Sequence, residues 1–99
     1  MTISKTQEND KIILTLDGRL DTTSAPQLQD ILIPAFEEAS SINIDLTKLA
    51  YISSAGLRVI LAGQKTAQTK NASMTVSGAS EEILEVFTMT GFSEILTII

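Results

Sequence analysis

Two adjacent serines, Ser53 and Ser54, are the residues of this chain whose position most favours chemistry. They follow an alternating, strand-like segment around Ile44 and precede an apolar pattern with helical spacing, so they lie where a strand gives way to a helix. Unpaired N–H groups at the start of a helix attract negative charge. A phosphate added to a serine here would therefore be tolerated by the chain itself. The position is compatible with phosphorylation.

Ser54 also has a simpler interpretation as a helix cap. If the helix begins at Ala55, the Ser54 hydroxyl would accept a hydrogen bond from the backbone amide of Gly56 or Leu57. Gly56 would remove side-chain bulk and let the backbone of another molecule approach closely. Capping serines are common, and spacing alone does not separate a phosphorylation site from a cap, so both interpretations stay open at this point.

Enzyme chemistry is disfavoured by the composition. The 99 residues contain no histidine and no cysteine, which removes the commonest general base and all thiol chemistry. A serine hydrolase using Ser54 would also lack the Gly-x-Ser-x-Gly elbow. Asp21 and Asp45 are a weak candidate for a metal pair, because such Mg²⁺ sites usually need substrate phosphates and no phosphate-binding glycine loop is present. We expect no catalytic residue, metal or cofactor.

Length and charge indicate a small module that binds another protein. The 99 residues predict a single domain, 1–99. The net charge is −5 and the seven basic residues are scattered, which disfavours nucleic acid as a partner. The polar N-terminus has no signal-peptide core, and no apolar run approaches the roughly 18 residues that cross a bilayer. We therefore expect a cytoplasmic protein without a membrane partner.

The elements that must position the serines alternate between strand and helix. The predicted order is β-β-α-β-α-β-α-β, an opening antiparallel hairpin followed by right-handed parallel crossovers. This order predicts a two-layer α/β domain with a mixed β-sheet. The predicted strands are 2–8, Lys11–Asp17, 42–46, Met74–Val76 and Ile95–Ile99, and the helices follow Ser24, a short loop before Ala55, and Ser80.

Local patterns add finer expectations. Gly18 is expected to close the second strand, and Ser24 with Gln27 has the spacing of a capping box. Ser80 is expected to cap the third helix and Gly91 to end it. Tyr51 is expected to pack under the loop before the serines.

The segment from Ile44-Asp45-Leu46 to Leu61 resembles the signature of STAS-domain anti-sigma factor antagonists. In that family a strand ending in Asp-Leu is followed by a helix start of the type Ser-(Ser/Ala)-Gly-Leu. The segment 14–21, Leu-Thr-Leu-Asp-Gly-Arg-Leu-Asp, resembles the family's Leu-x-Gly-x-Leu-Asp element. Thr90-Gly91-Phe92 with Ile95 resembles its closing turn and strand. The resemblance covers essentially the whole chain.

The resemblance implies a regulatory function. In the family the serine before the Ala-Gly-Leu triplet is phosphorylated, which corresponds to Ser54; Ser53, where many members have Asp, is the second choice. The phosphate donor is ATP, and the kinase is itself the anti-sigma factor, with the fold of a histidine-kinase-like ATPase. Unphosphorylated protein binds that kinase and frees the sigma factor, phosphorylation releases the complex, and a serine phosphatase reverses the modification.

The resemblance also implies a binding face at the loop and the helix start. Asp21 either helps to shape this loop or position a nucleotide contact, or only begins the turn before the first helix. Arg58 either pairs with an acidic group of the kinase or stays solvated. Other STAS domains are accessory subunits of transport systems, which is the alternative function, but those members often lack the serine. The implied partner-binding residues are Asp21, Ser53, Ser54, Ala55, Gly56, Leu57 and Arg58.

Overall fold

The computed structural model describes residues 1–99. The chain folds around a mixed five-stranded sheet. The strand order is β1-β2-β3-β4-β5, with β1 antiparallel to β2 and all other neighbours parallel. The predicted fold class and order of elements are confirmed. The elements are β1 (Thr2–Glu8), β2 (Lys11–Leu20), α1 (Ala25–Ala35), β3 (Ser41–Ile52), α2 (Ser54–Thr69), β4 (Ser73–Ser77), α3 (Glu81–Thr90), a 3₁₀ turn (Phe92–Glu94) and β5 (Thr97–Ile98).

One face of the sheet is apolar because side chains alternate along each strand. In β2, Ile12, Leu14 and Leu16 are fully buried, whereas Ile13 and Thr15 between them are partly exposed. Strands β2 to β5 follow one another in order across the sheet, and parallel crossovers are right-handed as a rule, which puts successive helices on one face. Buried side chains of all three helices belong to the same core as those of the strands. The result is a two-layer domain whose core lies between the sheet and the helices. None of the helices has both the length and the apolar composition needed to cross a membrane.

Strands β2 and β3 both extend beyond the predicted ends. Gly18 does not close β2: with a φ of 115° it sits inside the strand, which continues to Leu20 with a shift of register. The loop expected before the serines is absent, because β3 continues to Ile52. Thr15 pairs with Asp45 but Asp17 pairs with Lys48, so β3 carries an extra residue that breaks the alternation on which the sequence prediction relied.

The capping box predicted at α1 is also wrong. Ser24 precedes the helix, but its side chain does not cap it. Its hydroxyl donates instead to the carbonyl of Arg19 at 2.7 Å, and the Gln27 side chain donates to the carbonyl of Met1 at 3.3 Å. The Ser24 hydroxyl therefore binds the end of β2 and does not cap α1.

The predictions for α3 are confirmed, and the last strand is shorter than expected. The Ser80 hydroxyl accepts a hydrogen bond from the amide of Ile83 at 3.2 Å, and Gly91 ends the helix in the left-handed conformation. The strand predicted from Ile95 is reduced to Thr97–Ile98, because the 3₁₀ turn occupies the residues just before it.

Candidate functional site

The junction between β3 and α2 is fixed to the neighbouring strand. Because β2 and β3 are parallel, they end at the same edge of the sheet, with Leu20 opposite Ile52. The amide of Ser53 then donates to the carbonyl of Leu20 at 2.8 Å. The helix begins at the next residue, so its first turn is held against the end of β2.

Ser53, and not Ser54, is the cap of α2. Its backbone is extended, with φ −99° and ψ 173°, as a capping residue requires. Its hydroxyl accepts a hydrogen bond from the amide of Gly56 at 3.3 Å, and its carbonyl accepts from the amide of Leu57 at 2.9 Å. The interpretation of Ser54 as a cap is therefore wrong, because the helix starts one residue earlier than that interpretation assumed.

Ser54 is the first residue of α2 and its side chain is free. The residue is exposed, and its hydroxyl takes part in no hydrogen bond with the protein. The first turn contains no acidic residue, so nothing offsets the positive end of the helix dipole there. A phosphate on this oxygen would extend from the surface beside unpaired helix amides.

Gly56 and Leu57, two of the residues implied to bind a partner, are buried. A Cβ atom at Gly56 would lie 2.6 Å from Cγ of Leu20 and 3.0 Å from its carbonyl oxygen. The close approach that glycine permits is therefore made by this chain's own strand β2, and not by the backbone of another molecule. These two residues anchor the first turn of α2, whereas Ser54 and Arg58 are the exposed members of the implied set.

Asp21 organises the turn before α1. Its Oδ1 atom accepts hydrogen bonds from the amides of Thr23 and Ser24 at 3.0 and 3.1 Å. The hydrogen bond from the Ser24 amide is the main cause that holds the pKa of Asp21 below its ordinary value, and it outweighs the opposing effect of desolvation. The simpler of its two predicted roles is the one that the hydrogen bonds support.

An open groove of about 280 Å³ lies between the first turns of α1 and α2. Arg58 stands at this groove and donates from Nε to the carbonyl of Ser54 at 3.4 Å. Half-buried Ala55 forms part of the wall on the α2 side. The groove thus adjoins the free serine and carries a cation. Its lining is Thr22, Ala25, Pro26, Gln29, Ala55, Arg58 and Val59.

A second surface feature of this edge escaped the sequence analysis. Arg19 and Tyr51 are register partners in β2 and β3, and the Arg19 guanidinium lies 4.2 Å from the centroid of the Tyr51 ring. Tyr51 is 40% exposed, so the prediction that it packs under a loop is wrong. The pair cannot be predicted from the sequence unless β2 is known to extend past Asp17 and β3 past Leu46.

Comparisons of sequence and of fold with known proteins point to the same family. Residues 2–99 match the model of the STAS domain family. The anti-sigma-B factor antagonist of Bacillus subtilis is 32% identical over 94 residues, which cover 95% of this chain and 85% of that protein. The fold is similar to that of an anti-sigma factor antagonist from Mycobacterium paratuberculosis, with a TM-score of 0.87, 16% identity, and 98% and 83% of the two chains covered. It is also similar to the Bacillus cell fate determinant SpoIIAA in its phosphorylated form, with a TM-score of 0.78, 15% identity, and 99% and 91% covered.

Proposed function

The chain belongs to the STAS domain family, and from that premise we propose that it is an anti-sigma factor antagonist controlled by phosphorylation of Ser54. Its unphosphorylated form binds a serine kinase that is also the anti-sigma factor, and the sigma factor is thereby freed. Phosphorylation ends this complex and a serine phosphatase restores it. The chain acts in the cytoplasm as a binding protein and catalyses nothing itself.

The observation that carries this proposal is that the hydroxyls of the two serines are in different environments. Ser53 uses its hydroxyl to cap α2, whereas the Ser54 hydroxyl is exposed and makes no hydrogen bond to the protein. A kinase can therefore modify Ser54 without breaking an existing contact. The name of the Bacillus subtilis relative and the phosphorylated state of SpoIIAA support the same function.

The proposed modification is a phosphoryl transfer from ATP. The Ser54 oxygen forms a bond to the γ-phosphorus, and the bond from that phosphorus to the β-phosphate oxygen breaks, so ADP leaves. The hydroxyl proton passes to a base on the kinase, since this chain has no histidine and no acidic residue in the first turn of α2. The kinase, of the histidine-kinase-like ATPase fold, thus supplies the ATP site and the base.

The antagonist function is tested by displacement of a sigma factor. The unphosphorylated chain, added in excess to a preformed complex of the anti-sigma kinase and sigma factor from the same organism, is expected to release free sigma factor. Gel filtration or a native gel measures this release, and transcription from a sigma-dependent promoter provides a functional readout. A complex that persists at saturating concentrations of the unphosphorylated chain would refute the antagonist function.

A further inference from the structure

Arg58 lies one helical turn after Ser54 and reaches back toward it. Residues four apart share one face of a helix, and long side chains point toward the helix N-terminus. The hydrogen bond from Nε of Arg58 to the carbonyl of Ser54, at 3.4 Å, shows that the side chain takes this direction. The guanidinium therefore already points toward the residue whose side chain would carry the phosphate.

The remaining donors of Arg58 are free. The two salt bridges of the chain join Lys5 to Glu38 and Lys70 to Glu37, and neither involves Arg58. No hydrogen bond is formed by its Nη atoms, so about four of the five N–H groups of a guanidinium are available. Arg58 is also the only charged side chain lining the groove between α1 and α2.

The charged side chains near the start of α1 are engaged elsewhere, and no carboxylate forms a salt bridge with Arg58. The carboxylate of Asp21, at the start of α1, is engaged by the turn amides, and the charged neighbour that lowers its pKa is Arg19. Arg19 itself stacks on the ring of Tyr51. A new anion on Ser54 would thus find the Arg58 guanidinium unpaired.

We propose that Arg58 is the intramolecular partner of the Ser54 phosphate, and that phosphorylation draws its guanidinium out of the groove. Phosphorylation would then weaken the binding of a partner in two ways. It adds negative charge at the start of α2, and it removes the one positive charge that the groove offers to an acidic group. The inference rests on the proposed function only in taking Ser54 as the position of the phosphate.

The test is a ³¹P NMR titration of chain carrying phosphoserine at position 54, incorporated during translation. The second pKa of a phosphoserine lies near about 6, and an adjacent guanidinium lowers it by favouring the dianion. Relative to the wild-type background, Arg58→Gln is expected to raise this pKa by about 0.2 to 0.4 pH unit, the scale of an exposed i, i+4 ion pair. Arg58→Lys is expected to give a smaller increase than Arg58→Gln, because Lys keeps the positive charge but lacks the planar fork that binds phosphate through two hydrogen bonds.

Lys65→Gln is the matched control. Lys65 is exposed on the same helix, and eleven residues from Ser54 correspond to about 16 Å along the axis. That is beyond the screening length of about 8 Å at physiological salt, so the phosphate pKa should not change. Equal pKa values in Arg58→Gln and wild type, or an equal increase in Lys65→Gln, would overturn the proposal. Failure of a kinase to modify Ser54 would instead count against the proposed function, since the phosphate in this test does not depend on a kinase.

Discussion

Phosphorylation of Ser54 is expected to weaken binding of the chain to its kinase partner by about a thousandfold. Two like charges about 4 Å apart repel by about 4 kcal/mol at an effective dielectric constant near 20. A factor of ten in affinity corresponds to about 1.4 kcal/mol. One phosphate that faces an acidic or closely packed surface of the kinase is therefore sufficient to lower the affinity about a thousandfold. Isothermal titration calorimetry of the kinase with unmodified chain and with chain carrying phosphoserine at position 54 measures the difference.

The matched control places the same charge at the other end of the sheet. Ser73 is exposed at the beginning of β4, whereas Ser54 follows the end of β3, and these two strands are parallel. Phosphoserine at position 73 should leave the affinity within about threefold, because exposed charges farther apart than a screening length of about 8 Å interact weakly. A phosphorylated Ser54 that binds the kinase as tightly as the unmodified chain would contradict the electrostatic switch.

Replacing Gly56 with Val is expected to lower the free energy of unfolding by about 3 kcal/mol, the upper part of the usual range for overpacking. The new Cβ would lie 2.6 Å from Cγ of Leu20 and 3.0 Å from the Leu20 carbonyl oxygen. That carbonyl is the acceptor for the Ser53 amide, so it cannot move away without disturbing the start of α2. The melting temperature should fall by roughly 12 to 24 °C for a domain of this size, and urea unfolding measures the free energy directly.

Gly63→Val is the control for Gly56→Val within the same helix. A Cβ atom at Gly63 would meet Cδ2 of Leu32 at 2.6 Å and Sδ of Met74 at 3.0 Å. Both atoms belong to side chains and neither is a backbone atom, so they can shift more easily than the Leu20 carbonyl, and the loss should be smaller than for Gly56→Val. A Gly56→Val protein that unfolds within about 0.5 kcal/mol of the unsubstituted chain, the range of a neutral surface change, would show that β2 and α2 are not held as closely as described.

The fold could be predicted because local patterns and the order of elements agree. The alternation of Ile12, Leu14 and Leu16 marks a half-buried strand, and the same alternation marks the start of β3. Caps at Ser80 and Gly91 also depend only on neighbouring residues. What failed depends on distant contacts: the ends of β2 and β3 follow from their mutual register shifts, which no local pattern reveals.

The strand-to-helix junction at Ser53 and Ser54 was predicted correctly, but the residue that caps α2 was not. A shift of the helix start by one residue decides whether Ser53 or Ser54 caps α2, and the sequence does not define a helix boundary to one residue. The choice is made by the bond from the Ser53 amide to Leu20, which is 33 positions earlier in the chain by their residue numbers. The stacking of Arg19 on Tyr51 likewise needs the paired strands. The sequence placed both serines at the start of α2, whereas long-range hydrogen bonds decide which of the two caps the helix.

The most direct test of the central claim is the mass of the chain after incubation with its kinase and ATP. The wild-type chain and Ser53→Ala are both expected to gain one phosphate, although loss of the cap should cost Ser53→Ala about 1 kcal/mol of stability. Ser54→Ala, which removes no hydrogen bond, is expected to stay folded and to gain none. Modification of Ser54→Ala to the same extent as wild type would contradict the assignment of the switch to the free hydroxyl at the start of α2.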